Sequence, residues 1–305
     1  MESSHFFIKN KLKSNGEKTS RRVLKFSGCE NGKYFTIDNN GDYWRMYRFV
    51  NKSVTYNKTD NLKVVEEAGK AFGEFQELLD GYPIEDLNII IPHFHNTVKR
   101  YETFKEVLQK DPVNRLKYVQ NEADEYLLLE DIATKMYKMQ KSGELKLRVT
   151  HNDTKINNVL FDKDANNYLC VIDLDTIMPG LVGFDFGDAV RFAANTSDED
   201  EMDLNKVMLD LKKYEAMVKG FVGRAGKSLT EQEKNTLALG AITMTIECGL
   251  RFLTDYIDGD NYFKTDYSEH NLVRARCQLK LAQSMIKSYS QMQEIVEEYY
   301  NLYCL

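Results

Sequence analysis

The stretch VTHNDTKINNVLFDKDANNYLCVIDLDTIMPGLVGFDFGDAVR, residues 149–191, holds a polar cluster, two short apolar runs and an acidic pair. A Gly-containing loop then leads into a helix. NVLF and YLCVID read as strands joined by DKDANN, whose Asp, Lys and Asn suit a tight reversal. Such a hairpin carries Asp173, at the end of its second strand, back beside the loop that holds His151, Asn152, Asp153 and Asn158.

That arrangement suits phosphoryl transfer, which needs a partner for the acceptor hydroxyl and oxygen ligands that hold Mg²⁺ on nucleotide phosphates. Asp153 is the candidate catalytic base. Asn158 and Asp173 would supply one neutral and one anionic oxygen to the metal. The order H-x-D-x-x-x-x-N, followed by a strand-borne Asp, is the order used by kinases. Asp and Asn also cap turns, so the ordered set carries the argument rather than any single residue. Asp175 stays open between joining Asp173 at the metal and pointing from the opposite strand face. His151 is expected to hydrogen-bond the loop. Asp185 is expected to favour the positive end of the following helix, Asp188 is balanced between capping and catalysis, and Arg191 should pair with one of them.

Outward from this centre the chain divides in two. On the N-terminal side residues 5–13 have a helical apolar rhythm. VLKF (23–26), KYFTI (33–37) and YWRMYRFV (43–50) then alternate with Gly/Asn-rich turns, the signature of an antiparallel meander. Helical spacing marks 62–79, ended by Gly81 and Pro83, then 97–108 and a long helix from about 112 to 141, ended by Gly143. Further helices are expected over 204–222, 230–256 and 268–299.

Composition bounds the function. The 305 residues carry 41 Lys+Arg against 47 Asp+Glu, a net charge of −6, which argues against a nucleic-acid surface. The five cysteines, at 29, 170, 248, 277 and 304, show no C-x-x-C spacing, and fit reduced thiols better than disulfides or a zinc site. The N-terminus lacks a cleavable apolar core, and the run 235–246 is too short and polar to span a bilayer. A cytoplasmic protein with no membrane partner is expected. The chain has no G-x-S-x-G elbow, and no Cys or Ser stands two residues before any of its four prolines, as a sulfatase-type nucleophile would.

HNDTKINNVLFD, CVIDLDTIMPGLVGFDFGDAVRFAAN, GKYFTIDNNGDYWRMYRFV, AGKAFGEFQELL, IPHFHNTVKRYETF and ITMTIECGLRFLTDYIDGDNYFK together resemble the N-acetylhexosamine 1-kinases of the aminoglycoside/choline-kinase-like group, from about Val23 to Gln283. The resemblance implies an α+β, protein-kinase-like fold of two lobes. A small, truncated antiparallel β lobe with the hinge would occupy residues 1–60. A large, mainly α lobe carrying the catalytic hairpin and acceptor site would occupy 61–305.

It also implies ATP and Mg²⁺ as cofactors and phosphorylation of the anomeric 1-hydroxyl of GlcNAc or GalNAc, with Asp153 as base and Asn158 and Asp173 at the metal. Phe192 and Arg251 resemble sugar-pocket positions, and adenine would lie near Phe49 and Val50. Arg251 sits on an otherwise apolar helical run, where a buried Arg needs a partner that Glu247 could supply. Against the family pattern, the chain has no G-x-G, and the first lobe segment recognised is the helix at 5–13. A kinase of another small hydroxyl compound (choline, homoserine or an amino sugar) and a catalytically silent relative are the alternatives.

Overall fold

The structure is a computed structural model that describes residues 2–29, 32–164 and 166–305. The chain opens with helix α1 (Glu2–Ser14), followed by the short strands β1 (Thr36–Ile37), β2 (Tyr43–Trp44) and β3 (Ser53–Val54). Helices α2 (Leu62–Leu79), α3 (Thr97–Lys110), α4 (Gln120–Leu128) and α5 (Glu130–Ser142) lead to the central stretch. That stretch forms β4 (Arg148–Thr150), β5 (Val159–Asp162), β6 (Tyr168–Val171), β7 (Met178–Gly180) and α6 (Val182–Ala193). Helices α7 (Leu211–Ala225), α8 (Glu231–Asp258), α9 (His270–Lys287) and α10 (Tyr289–Cys304) complete the fold.

The expected meander is much reduced. β1 and β2 pair antiparallel over two residues each, and Phe26 forms an isolated bridge with Tyr47. Ile37, Tyr43 and Trp44 are exposed, so no apolar layer lies behind these strands to extend their pairing. β3 instead joins the β5–β6 hairpin, in the order β3-β5-β6. Two long helices expected from the sequence are each broken, at Leu129 between α4 and α5 and at Ser288 between α9 and α10. The segment expected to be helical from 204 begins as a short 3-10 turn, and α7 starts at Leu211, behind an Asp210 side chain that caps Lys212 and Lys213.

α2 has the apolar stripe read from the sequence and buries Val65, Ala68, Phe72 and Phe75. α1 docks on its end: Ile8 and Leu12 pack with Phe75, Leu78, Leu79, Val149, Leu174 and Ile177. Lys11 Nζ donates to the carbonyls of Glu77 and Asp80 at 3.1 and 2.8 Å, two acceptors left over by the end of α2.

α8 is the central helix. Its start is fixed by a capping box between Thr230 and Glu233, and the Glu233 carboxylate also holds Arg148 of β4, with Arg148 Nε at 2.6 Å. This bond ties the start of the core helix to the strand that feeds the loop beginning at His151. α6 crosses α8 backbone to backbone, because a Cβ at Gly240 would overlap the Gly183 carbonyl and one at Gly187 would overlap that of Gly240. Among the described residues α8 is long and apolar enough to cross a membrane, but 89% of its apolar window is buried inside the fold. The short run at 235–246 is thus the middle of a longer core helix. The five cysteines are unpaired thiols.

Candidate active site

β4 pairs with β7, and the chain leaves β4 into the loop that starts at His151. The loop is held from three sides. Asp185, in the first turn of α6, accepts the backbone N–H groups of His151 (2.8 Å) and Asn152 (2.7 Å), and Gln76 of α2 donates to the same carboxylate at 2.8 Å. Burial pushes the Asp185 carboxyl above the usual carboxylate range, against the pull of His151 and the two amide bonds. Asp185 therefore serves the neighbouring loop, whereas α6 itself starts without a side-chain cap.

Asp188, one turn on, accepts the N–H of Thr154 at 3.1 Å and pairs with Arg191 at 2.9 Å. Burial raises its pKa, but Arg191 and Lys155 more than offset this and hold it below the usual range. Arg191 also bonds Glu199 at 2.6 Å.

The third support comes from the hairpin. His151 Nε2 lies 2.9 Å from the carbonyl of Ile172, and its Nδ1 accepts the N–H of Asp153 at 3.2 Å. Ile172 in turn donates its N–H to the Asn158 carbonyl at 2.9 Å. Asp173, the next residue, is thereby held beside the loop.

Asp173 has φ 59° and ψ 57°, in the left-handed region. Non-glycine residues adopt that conformation at a cost that recurs at functional sites. It is exposed, and its carboxylate makes no hydrogen bond or ion pair among the described residues.

Asn158 donates Nδ2 to the Asp153 carbonyl (2.8 Å) and carboxylate (3.0 Å), which leaves its Oδ1 without a partner among the described residues. The second Asp153 oxygen pairs with Lys155 at 2.9 Å. Burial lowers the Lys155 pKa, and Asp153 and Asp188 together raise it above its ordinary value.

Asp153, Asp188 and Arg251 line one cavity of about 330 Å³ between the loop, α6, α8 and the segment after α8. Phe192 packs against the main core and is not among its lining residues. Phe49 and Val50 line a separate cavity of about 460 Å³, together with His5, Lys9, Lys25 and Arg48. Asp175 is drawn toward the N-terminal strands, where Arg45 donates to its carboxylate at 2.6 Å.

Glu247 is not the partner of Arg251. Its Oε1 lies 2.8 Å from His95 Nδ1, while Arg251 lies over the rings of Tyr262 and Phe263, 5.5 and 5.2 Å from their centroids. Sequence reading missed His95 and Lys155. The histidine-rich IPHFHN, too irregular for a helix or strand, was the one signal for the first.

The model of the phosphotransferase enzyme family, APH, matches residues 30–212, more than half of the chain. The chain belongs to this family. Solved structures extend the likeness beyond the matched residues. The aminoglycoside phosphotransferase from Alicyclobacillus acidocaldarius superposes with a TM-score of 0.59 at 12% identity, covering 98% of this chain and 85% of that one. A microcompartment-associated aminopropanol kinase gives 0.56 at 13% identity, with 95% and 82% covered. The Plasmodium vivax ethanolamine kinase gives 0.51 at 14% identity, with 91% and 72% covered.

At such identities the likeness is one of fold, and that fold is α+β and protein-kinase-like. The family assignment makes the chain a member of a group of phosphotransferases.

For Mg²⁺ the donor set fits. Asp173 offers a free carboxylate and Asn158 a free amide oxygen, hard ligands of the kind that leave other positions for water and phosphate. Among the described residues no group of three His, Cys, Asp or Glu side chains is placed to hold a metal ion.

Proposed function

We propose that the chain is an ATP- and Mg²⁺-dependent kinase that phosphorylates the anomeric 1-hydroxyl of the N-acetylhexosamines GlcNAc and GalNAc. The observation that carries this reading is the cavity shared by Asp153, Asp188 and Arg251. Asp153 accepts the proton of the acceptor hydroxyl there, and Asn158 and Lys155 hold its carboxylate in one orientation. Asn158 Oδ1 and Asp173 would hold Mg²⁺, which neutralises phosphate charge when bound. Adenine would lie against Phe49 and Val50.

Charge favours an uncharged acceptor. Asp153 pairs with Lys155, Asp188 and Glu199 with Arg191, and Glu247 with His95. Arg251, Lys264 and Arg274 line the same cavity and form no ion pair with a carboxylate among the described residues. Ethanolamine and aminopropanol, after which two of the similar kinases are named, carry an ammonium group that these cations would repel.

The test is ADP release by the purified protein with Mg·ATP and GlcNAc, GalNAc, choline, ethanolamine or homoserine. Turnover of the two hexosamines is expected. Turnover confined to the amines sinks the acceptor assignment, and no ADP release with any of them sinks the kinase reading.

A further inference from the structure

We propose that Glu247 binds the acceptor molecule through its second carboxylate oxygen, and that His95 is a positioning residue linking this contact to the catalytic loop. The ligand is a compound that presents a hydroxyl or an amide N–H to that oxygen. The inference rests on the kinase reading and names the residue that recognises the acceptor within the same cavity.

Glu247 is only 2% exposed, yet it lines the acceptor cavity. One oxygen is taken by His95 at 2.8 Å, and the other, Oε2, is buried with no hydrogen-bond partner among the described residues. A buried carboxylate oxygen left in that state costs stability unless a ligand satisfies it. Its neighbours do not: Arg251, one turn along α8, lies over Tyr262 and Phe263, and Arg191 is engaged by Asp188 and Glu199. A hydroxyl or amide N–H of an uncharged acceptor fits the oxygen, since His95 already occupies the other oxygen of the carboxylate.

The His95 ring faces an acceptor at each nitrogen. Nδ1 meets Glu247 and Nε2 lies 3.3 Å from the carbonyl of Asn152, two acceptors that together favour the doubly protonated ring. The charged groups around it agree: Glu247 on α8 and Asp188 on α6 favour the cation, while Phe94 and Phe184 flank the ring. Burial lowers the pKa of the ring, and Glu247 more than offsets it, leaving it above the ordinary value.

Asn152 is the residue before Asp153 and is held at φ 66°. Its N–H is fixed by Asp185 and its carbonyl by His95. A chain of direct bonds thus runs from the acceptor cavity, through Glu247 and His95, to the backbone that aims the catalytic carboxylate.

Steady-state kinetics of Glu247→Gln and His95→Gln test this, with GlcNAc as the first acceptor. Glu247→Gln should raise the acceptor KM about 10- to 100-fold, the range of one hydrogen bond to a charged group, with the KM for ATP unchanged. Among monodeoxy analogues of GlcNAc and glucose, which lacks the acetamide, one should lose that factor with the wild type and nothing further with Glu247→Gln. Wild-type kcat/KM should fall as pH rises through the elevated His95 pKa, and His95→Gln should lack that limb and show a lower kcat.

An unchanged acceptor KM, or analogue losses that all add to that of the variant, overturns the binding role. A retained alkaline limb in His95→Gln overturns the coupling. Should Glu247→Gln fail to fold, Glu247→Asp, which keeps the charge and withdraws the oxygen, serves the same comparison. If only choline, ethanolamine or homoserine is turned over, the comparison is run on that compound. The hexosamine reading then falls while this inference is still decided. No turnover with any acceptor overturns both.

Discussion

His151 and Ile172, 21 residues apart, are joined by a bond of 2.9 Å from the imidazole Nε2 to the main-chain carbonyl. The same ring accepts the Asp153 N–H, so one side chain spans the catalytic loop and the end of the hairpin. It also packs edge-on against Phe72 and Phe75 of α2. His151→Phe keeps the aromatic contacts and leaves a buried donor and acceptor unmatched. It should cost roughly 2 kcal/mol or more in denaturant unfolding and lower kcat. A variant as stable as the wild type would show that the bond does not hold the loop.

Asp153 is met by Asn158 on one carboxylate oxygen and Lys155 on the other. Asp153→Asn preserves the shape and removes the proposed base. The expected outcome is a fall in kcat of about 10²- to 10⁴-fold, with nucleotide and acceptor affinities by calorimetry little altered. Near-wild-type turnover would remove Asp153 from its role.

Asp173 and Asp175 are two residues apart and differently engaged. Asp173 is unpaired among the described residues, whereas Asp175 is held by Arg45. Asp173→Asn should raise the Mg²⁺ concentration needed for half-maximal rate. Asp175→Asn should leave that concentration unchanged and cost under about 1 kcal/mol, as expected for a half-exposed ion pair. A metal titration on both variants separates them, and equal shifts would restore Asp175 as a ligand.

Asp188 supplies a pH signature. Its folded pKa lies below the ordinary carboxylate value, so its stabilising contribution is present above about pH 4 and is lost as pH falls through the folded value. The stability gap between wild type and Asp188→Asn should therefore be widest near neutrality and close in acid. Chemical denaturation at several pH values measures it, and a gap that widens in acid would contradict the Asp188–Arg191 pairing.

Legibility from sequence followed the range of the forces involved. α2 was read over the residues it occupies, 62–79, because an apolar stripe and its terminators are local signals. The hairpin was legible for the same reason. The breaks at Leu129 and Ser288 carry no Gly or Pro, so the sequence holds no local signal for them. Asp185 lies in the first turn of α6 as expected, but its bonds to His151 and Asn152 were not legible, because those residues lie more than 30 positions away, beyond any helix-end rule. Glu247 and His95 are 152 residues apart, and no spacing pattern connects residues that meet only after folding. The reduced meander was over-read because alternating residues mark a strand only where another layer covers one face.

The crossing of α6 and α8 at Gly183, Gly187 and Gly240 has a consequence for how such an enzyme changes its diet. Backbone contact sets the spacing of the two helices, so it does not depend on the bulk of any side chain there. α6 carries the carboxylates that hold the catalytic loop, and α8 carries Glu247 and Arg251 on the cavity wall. Substitutions on that wall can remodel what the enzyme accepts while the chemical apparatus stays in register. The glycines fix the two helices as one frame, on which the wall at Glu247 and Arg251 would vary without displacing the loop at Asp153.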